Sequence, residues 1–406
     1  MHNTHIFIAI PLLDELDNIH SLLERIKSQT HTNFTIYFCV NQPDNWWKDN
    51  AKIDICKRNV KTIEYIQDFS KTTNNKINVI DKCTPGKGWQ GKKLGVGWAR
   101  KIIIDEINNV ANDEDIIISL DGDTEFSSNY FQSINDNFTQ NKNYETISIP
   151  YYHPLNDDPK ANKAILRYEI YMRTYLLNLF KISSPYSFSA LGSAIAFKVK
   201  ALRKIGGFTP KKSGEDFYFL QKMVKYKPIN NWNKEIVKPA ARFSDRVFFG
   251  TGPAMIKGSN GDWNSYPIYS TYSFNEIKIF YSLIPQLFIR NIETPIDTFL
   301  LHNCIDIDNL WNKLRKNNKD LFHFTKAIHD YFDGLKILQF LKFSNTGSND
   351  NKNLITFIQQ LESYKVSKPN INNFNFENCN ISHLNEIRDY LYQIENIERT
   401  LNTNGK

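Results

Sequence analysis

Residues 115–126 read DIIISLDGDTEF, and this stretch decides the fold class. Its first half is an almost bare apolar run, which is typical of a strand in a parallel sheet covered on both faces. Two carboxylates, Asp121 and Asp123, follow the run directly. The stretch therefore predicts a buried strand with an acidic pair at its carboxyl end.

The segments before this strand repeat the pattern of strand, helix and strand. Three apolar runs read as further strands: HIFIAI at 5–10, FTIYFCV at 34–40 and KINVI at 76–80. A helical stripe separates the first two, at Ile19, Leu22, Leu23 and Ile26, and residues 91–110 read as another helix. Strands that alternate with helices indicate βαβ units. We expect an α/β fold with a mostly parallel central sheet flanked by helices.

The pattern changes after about residue 275. Helical segments such as FNEIKIFYSLIPQLFIR and LITFIQQLESY follow one another, and SNTGSNDNKN at 344–353 reads as a loop or linker. We expect a domain over residues 1–270 and a mainly α-helical C-terminal region over residues 271–406, whose role the sequence leaves open.

Composition excludes some protein classes. The 406 residues are 41% hydrophobic, which argues against a wholly disordered chain. The net charge of +7 is mild and is not gathered in one block. It fits anionic small molecules or a membrane surface as well as nucleic acid, and we expect no nucleic-acid partner.

No apolar run reaches the roughly 20 residues that cross a bilayer, and no signal peptide is visible. We therefore expect a cytoplasmic protein, with peripheral contact to the inner face of the membrane left open. The five cysteines are widely spaced without a CxxC pair. They are expected to be buried free thiols.

The acidic pair has the geometry of a cation site. In extended backbone, Asp121 and Asp123 project to the same side, at the strand end where ligands of open α/β sheets bind. Two such carboxylates, with Gly122 allowing close approach, can hold a hard divalent cation that also touches a diphosphate. The alternative is an ordinary acidic turn.

A second acidic pair occurs in GEDF at 214–217. Glu215 and Asp216 fall in the first turn of a predicted helix, where the helix dipole favours negative charge. One of these carboxylates can act as a general base toward a substrate hydroxyl. A purely structural role in the helix start is the alternative.

These motifs form an ordered set that resembles family 2 glycosyltransferases of the GT-A fold over about residues 5–250. The set comprises IAIPLLDE (8–15), CVNQ (39–42), GVGWARK (95–101), LDGD (120–123), IGGF (205–208) and GEDF. The resemblance implies a nucleotide-diphosphate sugar bound at the carboxyl ends of the strands, with Mn²⁺ or Mg²⁺ on the DxD motif. It also implies inverting transfer, with the Asp of the ED pair as base.

Residue by residue, the resemblance implies that Asp123 is a metal ligand and that Asp121 contacts the metal or the nucleotide ribose. Asp216 would be the catalytic base. The residues implied to bind the nucleotide sugar, together with those we add from their position, are Pro11, Glu15, Asn41, Arg100, Asp121, Arg242 and Arg246.

The chain departs from the family pattern in two places. Asn41 and Gln42 stand where many members carry an Asp pair. ARFSDRVFFGTG at 241–252 replaces the membrane-embedded QxxRW-type segment of processive synthases, which favours transfer of single sugars. Arg242 and Arg246 in that segment can face a diphosphate or an anionic acceptor, or lie on the surface.

Three further features have open interpretations. GKGWQGKK at 86–93 nearly matches a P-loop but has Lys93 instead of Ser or Thr. It is a P-loop, a basic loop near the phosphates, or an ordinary solvated loop. The lysines that could reach the phosphates are Lys87, Lys92 and Lys93. His153 is a candidate third metal ligand or a structural histidine. Trp46 and Trp47 could stack on a base or sugar, or only pack.

We therefore expect a glycosyltransferase that moves a sugar from a nucleotide-diphosphate sugar to an acceptor hydroxyl. It would be inverting and metal-dependent, and it would serve the assembly of cell-surface or other polysaccharides. The acceptor would be a glycan or a lipid-linked molecule. The alternatives are a nucleotidyltransferase, a P-loop NTPase, and a nucleotide-binding module without transfer activity.

Overall fold

The computed structural model describes residues 4–211, 214–244 and 250–404. Its strands are β1 (Ile6–Leu12), β2 (Phe34–Asn41), β3 (Lys76–Lys82), β4 (Ile116–Ser119), β5 (Thr146–Ser148) and β6 (Ile195–Lys198). The first helices are α1 (Leu16–Lys27), α2 (Ile53–Ser70), α3 (Val96–Val110), α4 (Tyr130–Gln140), α5 (Pro159–Lys181), α6 (Val199–Lys204), α7 (Glu215–Tyr226) and α8 (Thr251–Ser259). The later helices are α9 (Thr271–Ile289), α10 (Asp297–His302), α11 (Ile307–Asn317), α12 (Leu321–Tyr331), α13 (Gly334–Ser344), α14 (Asp350–Gln359) and α15 (Ile381–Asn404).

The sheet has the strand order β3-β2-β1-β4-β6-β5. The first four strands in this order are parallel, whereas β6 runs antiparallel to both β4 and β5. Every residue of β1, β2 and β4 is buried, so both faces of the sheet are covered. The predicted α/β fold, with a mostly parallel sheet, flanking helices and a helical C-terminal part, is confirmed.

The direction of β6 matters for the site. Its first residue, Ile195, lies opposite Ser119, the last residue of β4. Residues 191–194 therefore lie at the same edge of the sheet as the carboxyl ends of β1 and β4. The end of β1, the end of β4 and residues 191–194 thus share one edge of the sheet.

The predicted helices form with small shifts of their ends. The buried residues of α1 are the four of the predicted stripe. The helix predicted over 91–110 begins only at Val96, because Gly91 and Gly95 adopt φ angles of 61° and 88°, which glycine tolerates and a helix excludes. The predicted loop at 344–353 ends earlier, since α14 begins at Asp350.

The chain divides into two units. The first comprises Met1–Ile165, Phe188–Asp262 and Arg399–Lys406, and the second, which we call the helical unit, comprises Leu166–Ser187 and Trp263–Glu398. This division differs from the predicted boundary at residue 270, because most of α5 belongs to the helical unit. Leu166, Ile170 and Leu177 of α5 are buried in one apolar cluster with residues of α14 and α15.

All five cysteines are free thiols, and Cys39, Cys56 and Cys83 are buried as expected. Cys304 is exposed and Cys379 is half-buried. No helix among the described residues is both long and apolar enough to cross a membrane.

The helical unit contains a fully buried network of charges. Arg173 of α5 donates to Glu169 on the same helix and to Glu395 of α15, the latter at 2.7 Å. Arg388 of α15 donates to Glu169 at 3.0 Å. All four side chains have no exposed surface. Loss of one partner would therefore leave a buried charge without compensation.

We predict that Arg173→Ala lowers the free energy of unfolding by about 3–5 kcal/mol, because two buried carboxylates lose their common cation. Urea denaturation of the full chain measures this change. Lys342→Ala, at an exposed position of α13, is the control and should change the value by less than about 0.5 kcal/mol. A loss below about 1 kcal/mol for Arg173→Ala would contradict the prediction.

Candidate active site

The DGD segment lies against the end of β1. The amide of Leu120 donates to the carbonyl of Ala9 at 3.1 Å, so the chain follows β1 for one residue beyond β4. A Cβ atom on Gly122 would lie 2.7 Å from Leu12 and 2.8 Å from Glu15. Only glycine permits this approach, and it brings Asp121 and Asp123 beside the loop after β1.

Arg100 connects the two acidic motifs. It is buried on α3 and donates to Asp121 at 2.5 Å and to Glu215 at the start of α7. Burial alone would lower the pKa of Arg100, but the surrounding carboxylates raise it above its ordinary value, so the guanidinium stays charged. A Cβ atom on Gly192 would lie 2.2 Å from this guanidinium. Glycine at 192 therefore makes room for the arginine.

Arg242 forms a second bridge of the same kind. It donates to Asp123 at 2.7 Å and to Glu15, a buried carboxylate that also accepts from Asn18 at 2.6 Å. Burial opposes the charge of Arg242, but Asp123 and Glu15 raise its pKa above the ordinary value. Each arginine of the site thus binds two carboxylates from different parts of the chain. Arg246, the other predicted arginine, lies outside the described residues.

Asp216 is the carboxylate without such an ion pair among the described residues. It lies in the first turn of α7 as predicted, is half-buried, and accepts from the amide of Phe217 at 2.8 Å. Burial and the neighbouring Glu215 raise its pKa to about 7, although Arg100 acts in the opposite direction. Adjacent acids therefore differ in environment: Glu215 is bound to Arg100, and Asp216 can exchange a proton near neutral pH.

The site carries more negative than positive charge. Among the described residues, two arginines pair with four carboxylates, those of Glu15, Asp121, Asp123 and Glu215, and Asp216 adds a fifth carboxyl group. Among the described residues, no three Asp, Glu, His or Cys side chains come close enough to hold a metal by themselves. Mg²⁺ usually takes one or two carboxylates and completes its shell with substrate phosphates and water. The donors present fit a cation held together with a phosphorylated ligand.

A cavity of about 290 Å³ adjoins Arg242. Its lining includes two aromatic and two cationic side chains, and the full set is Leu13, Asp14, Trp46, Lys52, Ile55, Arg242, Phe243 and Ser244. The Lys52 ammonium lies 5.2 Å from the centre of the Trp46 ring. A planar, partly anionic ligand matches this chemistry.

Asp14 in the wall of this cavity has a strained backbone. Its φ of 55° is unusual for a residue other than glycine. Two contacts stabilise this conformation: the amide of Asp14 donates to Asn59 at 2.8 Å, and Arg58 donates to the Asp14 carboxylate at 2.6 Å. Such backbone strain is found preferentially at functional sites.

Some predicted residues do not join the cluster. Pro11 is buried within β1, in register with Cys39 of β2. The Asn41 amide donates to the Leu12 carbonyl at 2.9 Å and accepts from the Trp89 indole at 3.0 Å, so both its ends already bind protein. Pro11 and Asn41 therefore contribute to the packing and hydrogen bonding of β1 and β2, and not to the charged cluster.

The structure also shows the surroundings of His153 and of the pair Trp46 and Trp47. His153 is buried with its ring against Tyr151, and it takes part in no cluster of three metal-ligating side chains among the described residues. Trp46 lines the cavity, whereas the Trp47 indole donates to the Cys83 carbonyl at 2.7 Å and packs.

The near-match to a P-loop has a different role. The amides of Gly86 and Gly88 donate to Asp44 at 2.8 and 3.3 Å, and a Cβ atom on Gly88 would lie 2.6 Å from the Asp44 backbone. Lys87 pairs with Asp81 at 3.0 Å, and Lys93 lies over the Trp98 ring. Because these amides bind a carboxylate, they do not cradle a phosphate. The structure gives no support to the P-loop alternative.

Sequence reasoning missed several residues of this region. It assigned no role to Gly192, Asp14 or Lys52, and it considered Glu215 only as a possible base or as part of a helix start. A usable signal existed for Gly192, because LGS at 191–193 directly precedes an apolar strand. The pairing of Glu215 with Arg100 had no local signal.

Comparison with known proteins found no matching family model and no matching curated protein. Solved structures share a distant likeness. S. aureus TarS 1–349 in complex with UDP-GlcNAc is 11% identical, with 99% of this chain and 93% of that chain covered and a TM-score of 0.39. The mannosyltransferase PcManGT from Pyrobaculum calidifontis, in complex with GDP-Man and Mn²⁺, is 12% identical, with 98% and 88% covered and a TM-score of 0.38.

Glucosyl-3-phosphoglycerate synthase from Mycobacterium tuberculosis, in complex with Mn²⁺, UDP and glucosyl-3-phosphoglycerate, is 12% identical. The likeness covers 64% of this chain and 81% of that chain, with a TM-score of 0.38. TM-scores below 0.5 establish no function for this chain. Its function has to be inferred from the residues of the site.

The raised pKa of Asp216 predicts a pH-dependent effect on stability. Between its ordinary value of 3.8 and about 7, the folded chain holds a proton that the unfolded chain has released. This stabilisation is present at low pH and is lost as pH rises through about 7. Asp216→Asn cannot ionise, so its melting temperature relative to the native chain should rise by a few degrees between pH 5 and pH 8.

Thermal denaturation at the two pH values tests this prediction. Asp54→Asn, whose side chain is 87% exposed in the native chain, is the control and should show no such change. If the difference in melting temperature between Asp216→Asn and the native chain were the same at both pH values, the raised pKa would be wrong.

Proposed function

We propose that this chain is a glycosyltransferase that moves a sugar from a nucleoside-diphosphate sugar to an acceptor hydroxyl. The observation that carries the proposal is the cluster at the carboxyl ends of β1 and β4. There Asp121 and Asp123 pair with the buried Arg100 and the half-buried Arg242, and the neighbouring Asp216 has a pKa of about 7. Ligands of open α/β sheets bind at this edge.

The donor diphosphate would bind together with Mn²⁺ or Mg²⁺. A site with more carboxylates than arginines repels a bare diphosphate, and a divalent cation reverses that repulsion. Asp123 and Asp121 would hold the cation, since carboxylate oxygens are the ligands it prefers. When bound, the cation stabilises the negative charge of the leaving diphosphate. Arg242, which bridges Glu15 and Asp123, lies where it can exchange a carboxylate for a phosphate oxygen.

The nucleoside of the donor would occupy the cavity beside Arg242. The Trp46 ring offers a planar face for a base, and Lys52 offers a cation at the same wall. In this proposal Pro11 and Asn41 maintain the strand ends that border the cavity. Arg100 positions Asp121 and does not need to touch the donor.

Asp216 would act as the general base. The acceptor oxygen forms a bond to the anomeric carbon while the bond from that carbon to the diphosphate oxygen breaks, and the electron pair leaves with the nucleoside diphosphate. The hydroxyl proton passes to the Asp216 carboxylate. A pKa near 7 keeps a large share of this carboxylate ionised at neutral pH and still basic enough to accept the proton. A single displacement of this kind inverts the anomeric centre.

The presence of a carboxylate base, Asp216, favours sugar transfer over nucleotidyl transfer. A sugar phosphate attacks a nucleoside triphosphate with an oxygen that is already ionised, so that reaction needs no carboxylate base. An acceptor hydroxyl does need one. The acceptor itself would be a glycan or a lipid-linked molecule in polysaccharide assembly. The released product separates the two reactions: nucleoside diphosphate for sugar transfer and pyrophosphate for nucleotidyl transfer.

We predict that Asp216→Asn lowers the rate of transfer at least about 100-fold while donor affinity stays near that of the native chain. The native rate should rise with pH to a plateau above about pH 7 because the base must be ionised. Release of nucleoside diphosphate, followed across pH, measures both effects once a screen of nucleotide sugars has found the donor.

Two further variants sharpen this test. Asp54→Asn on the exposed side of α2 should transfer at the native rate. Glu215→Gln should lower thermal stability, because Arg100 loses a buried partner, and should slow transfer less than Asp216→Asn does. An active Asp216→Asn together with an inactive but donor-binding Glu215→Gln would assign the base to Glu215 instead.

A metal prediction concerns Asp123. UDP or GDP should raise the melting temperature of the native chain more with Mn²⁺ than without it, because a ligand that binds the folded state stabilises it. Asp123→Asn should remove this dependence on Mn²⁺ and leave the fold intact, whereas Asp54→Asn should retain it. An equal Mn²⁺-dependent shift in Asp123→Asn and the native chain would contradict the assignment of Asp123 as ligand.

A further inference from the structure

The helical unit exposes apolar side chains where α9 ends and where α12 begins. Ile289, the last residue of α9, is 79% exposed, and Phe322 in the first turn of α12 is 75% exposed. Leu321 beside it is 41% exposed. We call residues 287–291 and 313–323 the basic tip. Large apolar side chains this far exposed are unusual when they occur together.

Contacts show that the two segments of the basic tip meet. Arg315 of α11 donates to the Leu287 carbonyl at the end of α9 at 2.5 Å, and it also donates to Asn291. The ring of Phe288 lies 5.3 Å from that of Phe324 of α12, measured between ring centres. The end of α9 and the start of α12, which carry the exposed apolar residues, therefore lie close together.

The two segments of the basic tip carry a net positive charge. They contain five basic residues and one carboxylate: Arg290, Lys313, Arg315, Lys316 and Lys319 against Asp320. Asp308 of α11 adds a second carboxylate at their border, since it accepts from Asn291. Asp320 is occupied locally, since it caps α12 through the amide of His323 at 2.9 Å and contacts the ring of the same histidine. Within the described part of the chain, Arg290, Lys313, Lys316 and Lys319 form no ion pair, and all four are exposed.

We propose that the basic tip docks on an anionic lipid membrane. Apolar side chains flanked by lysine and arginine form the pattern that inserts at a lipid interface while the basic groups meet anionic headgroups. Nucleic acid would match the charge but would leave Ile289 and Phe322 without a role. The proposal concerns binding to a surface, and it stands whether or not the proposed sugar transfer is correct.

Vesicle flotation with the full chain tests the proposal. The native chain should float with vesicles of equal parts phosphatidylcholine and phosphatidylglycerol at low salt, and it should remain unbound with phosphatidylcholine alone. The double variant Lys316→Ala/Lys319→Ala should lower the partition coefficient at least about tenfold. Ile289→Ser/Phe322→Ser should lower it about tenfold as well, because the apolar anchors are lost.

Tyr272→Ser provides the matched control. Tyr272 is 69% exposed on the first turn of α9, about 25 Å along the helix from Ile289, and its loss should leave binding unchanged. We expect each variant to fold, because the substituted positions are exposed, and circular dichroism would measure this.

Three results would overturn the proposal. The first is no binding of the native chain to the mixed vesicles at low salt. The second is that Ile289→Ser/Phe322→Ser binds like the native chain while the lysine variant does not, which would make the tip a general anion surface. The third is a native dimer in light scattering that Ile289→Ser/Phe322→Ser converts to a monomer, which would assign the tip to a second copy of the chain.

Discussion

The buried guanidinium of Arg100 is the interaction on which the site depends. A cation with almost no exposed surface is stable only if carboxylates compensate it closely, and Arg100 obtains them from Asp121 after β4 and Glu215 on α7. This requirement joins two acidic motifs that lie far apart in the chain. Gly192 is part of the same constraint, because any side chain there would occupy the place of the guanidinium.

The arrangement also separates the roles of two adjacent acids. Glu215 neutralises Arg100 and is held in place by it. Asp216, next in the chain, is affected by burial and by the charge of Glu215, and its pKa rises to about 7. A structural ion pair thus produces, as a physical consequence, a neighbouring carboxyl group suited to proton transfer at neutral pH.

The two units compensate their buried charges in different ways. At the edge of the sheet, the described carboxylates outnumber the described arginines, which leaves the site able to bind a cation with an anionic ligand. In the helical unit, Arg173 and Arg388 are matched by buried glutamates, and the network only joins α5 to α15. In the described structure, the arginines and lysines of the basic tip form no ion pair.

The sequence by itself determined the features that depend on local pattern. Apolar runs and helical periodicity identified β1 to β4, the buried face of α1 and the start of α7, because burial on both faces of a strand or on one face of a helix imposes its own spacing. Chain direction then located DGD at the carboxyl end of β4, and the acidic pair of GEDF followed from the helix start. The α/β class and the positions of Asp121, Asp123 and Asp216 needed nothing more.

Only the tertiary structure decided which charges meet. Arg100 and Glu215 are 115 residues apart and Arg242 and Glu15 are 227 apart, so no local spacing predicts their contact. The same holds for α5, whose apolar face could not reveal that it packs with α14 and α15, and for Gly86 and Gly88, whose amides bind Asp44 instead of a phosphate. The pKa of Asp216 depends on burial and on neighbouring charges, and both exist only after the chain has folded.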